Sequence, residues 1–477
     1  MNTVERLIIN FVLFSVLLVV GLVGGTTYFA SPLAESGFSV LARVSDSFGP
    51  TRVSASSAKI KIIEPVVEEV VVEPTTVITE DKFIRPMVTA KETLLGAGVP
   101  FVEVNLAEMV IKKYENSTVV GSTTIKASGD PQGWGGTPAG LYSILSKNER
   151  AFSASAEAFM PQALHFYGKY FIHGEPYYPS GRKIGSAVSG GCVQVADEYA
   201  PRVFATIDLK TPVLVVDKED ENFTYPVGKN IKPATVSAEG FLMADLDSGE
   251  ILTEKNSTKQ FSIASITKLM TATVVAEHID LRRNMTVAEE MLETGFGGTP
   301  GLEEGASFRV VELFYPLLIE SSNDSAEALT GFLGRDKTIS LMNEKAEHLF
   351  MSDTVFADPS GIGEENISTA RDLYLLGRYI KNNRRPILDI TKGKAVTSFG
   401  PVRFDVKQME NKNEFAKDTD FIGGKSGYLD EAKNTGLFLF KVDIEGESRE
   451  VAIVVLKSEH LKKDVEALKD WVEENYR

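Results

Sequence analysis

The chain has one cysteine, Cys192, and the residues around it suit a nucleophile. Gly190 and Gly191 precede it, and glycines there would let the backbone approach a substrate and direct N–H groups at an oxyanion. A thiol needs a base to become nucleophilic, and His173 ends an apolar strand pattern 19 residues earlier. Taken alone, the cysteine and the histidine could equally be buried core residues.

A second candidate nucleophile is Ser265, which Lys268 follows one helical turn later. At this spacing both side chains share one helix face, and a neutral lysine amine can accept the hydroxyl proton. The pattern alone is weak, because Ser-x-x-Lys also begins at Ser56 and Ser180. Two further segments strengthen it, namely SSN at 321–323 and KSG at 425–427.

These elements, in this order, resemble the signature of serine β-lactamases and penicillin-binding proteins. From about residue 240 onward, the chain resembles the D-alanyl-D-alanine carboxypeptidases. The segments that carry this likeness are ADLDSG (244–249), ASITKLMTA (264–272) and ESSNDSA (320–326). The resemblance implies that Ser265 is the acylated nucleophile, that Lys268 is its proton acceptor and that Ser321 relays the proton to the leaving group.

The same resemblance implies a set of substrate-binding residues. Asn323 would hydrogen-bond the substrate amide, while Lys425 and Ser426 would bind the terminal carboxylate. The N–H of Tyr428, which follows Gly427, would complete an oxyanion hole with the N–H of the nucleophile. Many relatives have threonine where this chain has Ser426, but the hydroxyl is kept, so we expect an active site.

The region around the cysteine resembles the L,D-transpeptidase catalytic domain. Four motifs agree in order and spacing: GTPAGLYSI (136–144), FMP (159–161), IHG (172–174) and SGGCV (189–193). The resemblance implies that Cys192 is the nucleophile and His173 the general base, oriented by the carbonyl of Gly174. The N–H groups of Cys192 and Gly191 would form the oxyanion hole.

Two positions depart from that family. Many members have a second histidine where this chain has Gly190, and an arginine or asparagine where it has Gln194. The nucleophile and the base are retained. The two departures bear on the rate of the transpeptidase reaction and on which acceptor amine it uses. We expect His165, on a predicted strand between Leu164 and Phe166, to be structural.

Composition limits the partners. A net charge of −16 over 477 residues argues against nucleic acid, because nucleic acid selects basic surfaces. A single cysteine excludes an intramolecular disulfide. No metal site or cofactor is predicted. The family resemblances imply peptidoglycan stem peptides as substrates and β-lactams as covalent inhibitors.

The N-terminus predicts a membrane segment. Residues 7–34 contain no charge and the run is nearly all apolar to residue 23, so we expect residues 1–30 to form an uncleaved anchor helix. Cleavage near Ala30 is the alternative. Residues 31–84 suit an extended tether. About 50 flexible residues would have a root-mean-square span of roughly 40 Å. The valines of this segment could instead form a solitary strand.

The predicted architecture is therefore multidomain. After the transmembrane helix and the tether, we expect a mostly-β L,D-transpeptidase domain at 85–218 and a linker at 219–238. An α/β, β-lactamase-like domain would follow at 239–477, with an antiparallel sheet closed by both ends of the domain and flanked by helices. Helical periodicity predicts helices at 265–278, 324–333, 337–348, 369–380 and near the C-terminus.

Together these features predict a bifunctional peptidoglycan enzyme of the bacterial envelope, anchored in the cytoplasmic membrane with its catalytic domains on the outer face. Ser265 would remove the terminal D-alanine of stem pentapeptides, and Cys192 would cross-link the resulting tetrapeptides. One alternative is a peptidoglycan-binding or penicillin-sensing protein with one or both sites inactive. Another is that the cysteine domain hydrolyses its acyl intermediate or attaches proteins to the wall.

Overall fold

The computed structural model describes residues 82–185, 188–217, 223, 225, 234–292, 299, 301–444 and 446–476. The predicted anchor at 1–30 and almost all of the predicted tether at 31–84 lie outside this part of the chain. Within the described part, no helix is both long enough and apolar enough to cross a bilayer.

The first domain consists mainly of strands, as predicted. Its elements are α1 (Pro86–Gly96), β1 (Phe101–Asn105), β2 (Val110–Glu115), β3 (Thr118–Gly129), β4 (Gly140–Ser143), β5 (Ser146–Ser153), β6 (Ala158–Tyr167), β7 (Tyr170–His173), β8 (Val188–Ser189), β9 (Val193–Val195), α2 (Ala200–Thr206) and β10 (Pro212–Val216).

The strands of the first domain form one path, β4-β10-β1-β2-β3-β9-β7-β6-β5, with β8 beside β3. Strand β3 has 12 residues and joins the two halves of this sheet, since it pairs with β2 on one side and with β9 on the other. Its register shifts where β9 joins it. Apolar residues of both halves, such as Val104 and Leu164, share one buried core. Parallel pairing of β7 with β9 sets His173 opposite Gln194, and so brings the histidine close to Cys192.

The second domain mixes helices and strands. Its elements are β11 (Gly240–Asp245), β12 (Ile251–Lys255), β13 (Phe261–Ser262), a 3-10 turn (Ala264–Ile266), α3 (Thr267–His278), β14 (Asn284–Thr286), a 3-10 turn (Glu289–Met291), β15 (Ser307–Arg309), α4 (Val310–Ile319), α5 (Asn323–Thr330), α6 (Arg335–His348), β16 (Ile367–Ser368), α7 (Ala370–Asn383), α8 (Arg385–Thr391), β17 (Phe421–Leu429), β18 (Lys433–Ile444), β19 (Glu447–Ser458) and α9 (Leu461–Tyr476).

The main sheet of the second domain is antiparallel, in the order β12-β11-β19-β18-β17. The last strand lies beside the first, so the prediction of a sheet closed by both ends of the domain is confirmed. Helix α9 packs on one face, where Val465, Leu468 and Phe438 belong to one buried apolar cluster. On the other face Gly377 lets α7 approach β18, since a Cβ there would lie 3.1 Å from Leu437.

The predicted helices of the second domain are present as α3, α5, α6, α7 and α9, to within a few residues at each end. Helix α4 was not predicted. Its sequence VVELFYPLLI is buried on every side, so it has no polar face and no helical periodicity to detect.

The two domains share a buried interface on the side of α3, α6 and α7. His348 Nδ1 lies 2.8 Å from the carbonyl of Leu141, and the Asn383 side chain accepts from the N–H of Ala139 at 3.2 Å. The described end of the predicted tether also joins the second domain, where the N–H of Ile84 donates to Gly249.

Candidate active sites

The first candidate site is centred on Ser265, in the 3-10 turn before α3, and on Lys268 in the first turn of that helix. Lys268 Nζ lies 3.0 Å from Ser265 Oγ and 2.7 Å from Asn323 Oδ1. The Lys268 side chain is fully buried. Burial and the charge of Lys425 hold its pKa well below the usual range. A lysine amine kept neutral in this way can accept the proton of the serine hydroxyl.

Lys425, on β17, lines the same cavity as Ser265. Its Nζ lies 3.0 Å from Ser321 Oγ, and burial lowers its pKa to about 7. Ser321 has a φ of 63°, a left-handed conformation that is uncommon for a serine and costs energy. Such strain at a polar residue that contacts a buried lysine is typical of a functional position.

These residues line an open cavity of about 590 Å³. Six of the predicted site residues border it: Ser265, Ser321, Lys425, Ser426, Gly427 and Tyr428. Gly427 lies so close to the nucleophile that a Cβ would be 2.7 Å from the N–H nitrogen of Ser265. The structure therefore brings together the serine-site residues predicted from the sequence. Their individual roles remain predictions.

A loop at 358–363 supports this site and was not predicted. The carbonyl of Ser360 accepts from Lys268 at 2.5 Å. The Asp358 carboxylate accepts from the N–H groups of Ser360 and Gly361 at 2.7 and 2.6 Å. Gly361 packs against Ala264, where a Cβ would lie 2.0 Å from the carbonyl oxygen. The segment DPSG is a turn signal, but the sequence does not show which distant residues the turn meets.

The second candidate site contains His173, at the end of β7. Its Nδ1 lies 2.5 Å from the carbonyl of Gly174, as predicted, which favours the tautomer with a proton on Nδ1 and a free lone pair on Nε2. Burial lowers the pKa of His173 to about 4, although the Gly174 carbonyl opposes that shift. The imidazole is therefore neutral at neutral pH and can act as a base.

Cys192 lies in the same cavity as His173 and is partly exposed. Its Sγ lies 3.9 Å from the carbonyl of Lys169. Burial raises the pKa of the thiol to about 11, against the opposing effects of a backbone N–H of Phe171 and the charge of Lys169. Thiol and imidazole are therefore both neutral at rest, and a nucleophilic role for Cys192 would require transfer of the thiol proton to a general base.

The loop before Cys192 differs in part from the expected oxyanion hole. The N–H of Gly191, predicted as a donor, already donates to Ser189 Oγ at 3.0 Å, and that hydroxyl donates to the Cys192 carbonyl at 2.5 Å. At Gly190, where the family resemblance predicts a histidine, a Cβ would meet no atom within 4 Å, so a larger side chain would enter open space. Gln194 is buried and lines the same cavity.

His165 plays the structural part expected of it. Its Nε2 lies 2.9 Å from the carbonyl of Gly168, and its ring stacks on Phe171 at 4.7 Å between centroids.

The cavity at Cys192, of about 700 Å³, is formed by both domains. The second domain contributes five of its lining residues: Asp280, Leu281, Arg282, Ser398 and Phe399. Arg282 also donates to the carbonyl of Ser155 at 2.7 Å, at the tip of the β5–β6 hairpin. No local pattern predicts this wall, because its residues follow Cys192 in the chain by about 90 to 200 positions.

Profiles of known families match two separate parts of the chain. Residues 228–459 match D-alanyl-D-alanine carboxypeptidase, and residues 100–215 match the L,D-transpeptidase catalytic domain.

The chain is also similar to individual D-alanyl-D-alanine carboxypeptidases. The D-alanyl-D-alanine carboxypeptidase DacB2 of Mycobacterium tuberculosis is 31% identical over 204 residues, which are 42% of this chain and 68% of DacB2. DacF of Bacillus subtilis, a D-alanyl-D-alanine carboxypeptidase, is 26% identical over 227 residues, 44% of this chain and 56% of DacF. This chain thus spans little more than half of DacF.

A solved D-alanyl-D-alanine carboxypeptidase structure from Mycobacterium tuberculosis is 26% identical, with a TM-score of 0.45, and the match covers 53% of this chain and 96% of that one. On the DacB2 match and the two family profiles, the chain belongs to the D-alanyl-D-alanine carboxypeptidase family and carries an L,D-transpeptidase catalytic domain ahead of the carboxypeptidase region.

Proposed function

We propose that the protein is a bifunctional peptidoglycan enzyme, in which Ser265 removes the terminal D-alanine of stem pentapeptides and Cys192 joins the resulting tetrapeptides. The observation that carries the first activity is the buried Lys268 amine, 3.0 Å from the hydroxyl of Ser265. The second activity is supported by His173 and Cys192 sharing one cavity.

In the serine reaction, Lys268 takes the proton of Ser265 as the hydroxyl attacks the penultimate D-alanine carbonyl. N–H groups of Ser265 and Tyr428 would hold the oxyanion. Collapse of the intermediate breaks the amide bond, and a proton passed through Ser321 converts the leaving nitrogen into the free amine of D-alanine. Water then hydrolyses the acyl-serine. Lys425 would hold the departing carboxylate as a charged, largely buried partner.

In the cysteine reaction, Nε2 of His173 takes the thiol proton as Sγ attacks the carbonyl of the third stem residue. The imidazolium returns this proton to the amine of the departing D-alanine. An amine of a second stem then attacks the thioester, so an amide forms and the thiol is released. Since the product of the serine site is the donor of the cysteine site, one chain would raise the local supply of tetrapeptide.

The predicted location follows from residues 1–30 and 31–84. An apolar anchor and an extended tether would hold both sites outside the cytoplasmic membrane, where their substrate is assembled. Protease protection of epitope-tagged protein in spheroplasts tests this, because full protection of the C-terminus would contradict the proposal.

The site assignments are tested by adduct formation with β-lactams. Parent protein, Cys192→Ala and Ser265→Ala are exposed to a penicillin and to a carbapenem, and intact masses are measured. We expect Ser265→Ala to lose the penicillin adduct and Cys192→Ala to lose one carbapenem adduct. Ser340→Ala, which removes an exposed hydroxyl on α6, is the control. An adduct of the parent that survives both active-site substitutions would contradict the assignments.

Defined stem peptides test the reactions themselves. Ser265→Ala should cease to release D-alanine from a pentapeptide, and Cys192→Ala should cease to form dimers from a tetrapeptide. Mixing the two single variants restores both sites on separate chains. If that mixture cross-links pentapeptide as fast as the parent at equal site concentration, the proposed coupling is wrong.

A second candidate applies to the cysteine domain alone. In this alternative the cysteine domain is a stem-peptide binding module, and the observation that favours it is that the N–H of Gly191 already donates to Ser189 Oγ instead of being free to bind an oxyanion. Binding of tetrapeptide without a thioester, and without dimer formation, would support it.

A further inference from the structure

A cluster of charges is buried where the two domains meet. Glu277 at the end of α3 lies 3.0 Å from Lys345 and 2.9 Å from Arg384, and all three side chains have no exposed surface. Burial opposes ionisation of Glu277, but the two cations outweigh it and lower its pKa to about 2. Two cations and one anion leave one buried positive charge, which needs further acceptors.

The first domain provides those acceptors. Arg384 donates to the Tyr170 hydroxyl at 2.6 Å and to the carbonyl of Gly136 at 2.7 Å. Lys345 donates to the Tyr142 hydroxyl at 3.1 Å. The fork of the guanidinium thus holds two separate points of the first domain at once, which a lysine amine could not do in the same geometry.

Tyr170 and Gly135, the neighbour of Gly136, lie against the loop that precedes Cys192. A Cβ on Gly191 would be 2.2 Å from Cε1 of Tyr170 and 3.1 Å from the carbonyl of Gly135. A Cβ on Gly135 would in turn lie 3.3 Å from the backbone of Gly190. The loop at 190–191 is therefore clamped between the Tyr170 ring and the 135–136 segment, and Arg384 holds both sides of the clamp.

A third contact reaches the nucleophile directly. The carbonyl of Lys169, next to Tyr170, is the group that the Cys192 thiol meets. The Lys169 ammonium donates to the carbonyls of Ala276 and Ile279 at 2.7 and 3.2 Å, at the C-terminal end of α3. A cation satisfying the last carbonyls of a helix is a favourable arrangement, so this turn too is anchored on the second domain.

We propose that Arg384, from the carboxypeptidase region, is a positioning residue for Cys192, and that the cysteine site acquires its geometry only when both domains are joined. The inference rests on the proposed role of Cys192 as the nucleophile. Arg384 touches neither thiol nor imidazole; it acts through Tyr170 and Gly136 on the glycine loop. The carboxypeptidase region would therefore be a structural part of the transpeptidase site as well as the source of its substrate.

The variant that tests this proposal most directly is Tyr170→Phe. It removes the hydroxyl that accepts from Arg384 and keeps the ring that packs on Gly191. Because Cys192 is the only cysteine of the chain, its alkylation by iodoacetamide, followed by intact mass, reports this loop alone. A looser loop admits water and lowers the raised pKa of the thiol, and a pKa lower by one unit gives about tenfold more thiolate at neutral pH. We expect alkylation to become three- to tenfold faster and dimer formation to become slower by a similar factor.

The control is Tyr374→Phe, which deletes another buried hydroxyl, bonded to the carbonyl of Asp245 at 2.7 Å inside the second domain. It should leave the pH profile of alkylation unchanged. D-alanine release measures folding in every variant. Arg384→Lys, which keeps the charge and loses the fork, should behave as Tyr170→Phe does.

The proposal fails if Tyr170→Phe retains D-alanine release and alkylates with the pH profile of the parent. If the parent forms no dimers at all, the proposed transfer reaction is wrong, but the alkylation profile still decides whether Arg384 positions the thiol. If Arg384→Lys does not fold, the Tyr170→Phe result alone decides.

Discussion

The amine of Lys268 lies 3.0 Å from the hydroxyl of Ser265, and the lysine side chain has no exposed surface. A second amine, Lys425, stands close enough to lower the pKa of Lys268 further. Within the part of the chain that the structure describes, neither lysine forms a salt bridge with a carboxylate. Two buried amines of this kind suit two different roles, since one could serve as a base while the other could bind an anion.

Lys268→Met should abolish the base and preserve the packing, because the two side chains have similar shape. We expect acylation of Ser265 by penicillin to slow by about 10²–10⁴-fold, the usual contribution of a general base. The rate of covalent labelling measures this. Lys337→Met, which removes an exposed amine on α6, should label at the parental rate. Labelling of Lys268→Met within twofold of the parent would rule out its role as base.

The pKa of about 7 at Lys425 predicts an alkaline limit for the carboxypeptidase reaction. Above pH 7 the free enzyme loses this proton and the charge that holds the substrate carboxylate, so kcat/KM should fall about tenfold per pH unit. Lys425→Arg keeps its charge at all these pH values and should shift the limit upward by more than two units.

A substrate analogue with an amidated C-terminus is the control for Lys425. It has no carboxylate, so its kcat/KM should lack the alkaline fall. A parallel fall for both substrates would mean that another group titrates.

Gly190→His should be tolerated, since a Cβ at this position meets no atom within 4 Å. A second imidazole beside the thiol stabilises the thiolate when protonated, so alkylation of Cys192 at pH 6 should become several-fold faster. We expect the free energy of unfolding to change by less than about 0.5 kcal/mol, as at open surface positions. Gly185→His, which also enters open space, is the matched control.

Arg282→Ala should loosen the β5–β6 hairpin over the cysteine cavity, because it removes the contact to Ser155. The ion pair with Asp280 is partly exposed, so we expect a stability loss below about 1 kcal/mol. Hydrogen exchange at residues 153–157 should accelerate, and KM for tetrapeptide should rise while D-alanine release is unchanged. Lys337→Ala, which breaks an exposed pair with Glu344, should change neither.

Much of the fold could be predicted from periodicity. The amphipathic helix α9 and the closing of the second sheet follow from apolar residues at regular spacing. Helix α4 could not be predicted, because a segment buried on all sides carries no such signal. The position of the β5–β6 hairpin could not be predicted, since its contact to Arg282 joins residues 127 positions apart in the chain.

The sequence by itself identified the candidate reactive groups. Ser265 and Lys268 are one helical turn apart, and the glycines before Cys192 adjoin it. Each candidate site can therefore be recognised from a short segment of sequence. Only the tertiary structure decided what surrounds them. Lys268 meets the Ser360 carbonyl 92 residues away, and Arg384 holds Tyr170 across 214 residues. Such contacts leave no local periodicity, because burial and pairing energies act between residues that are neighbours in space alone.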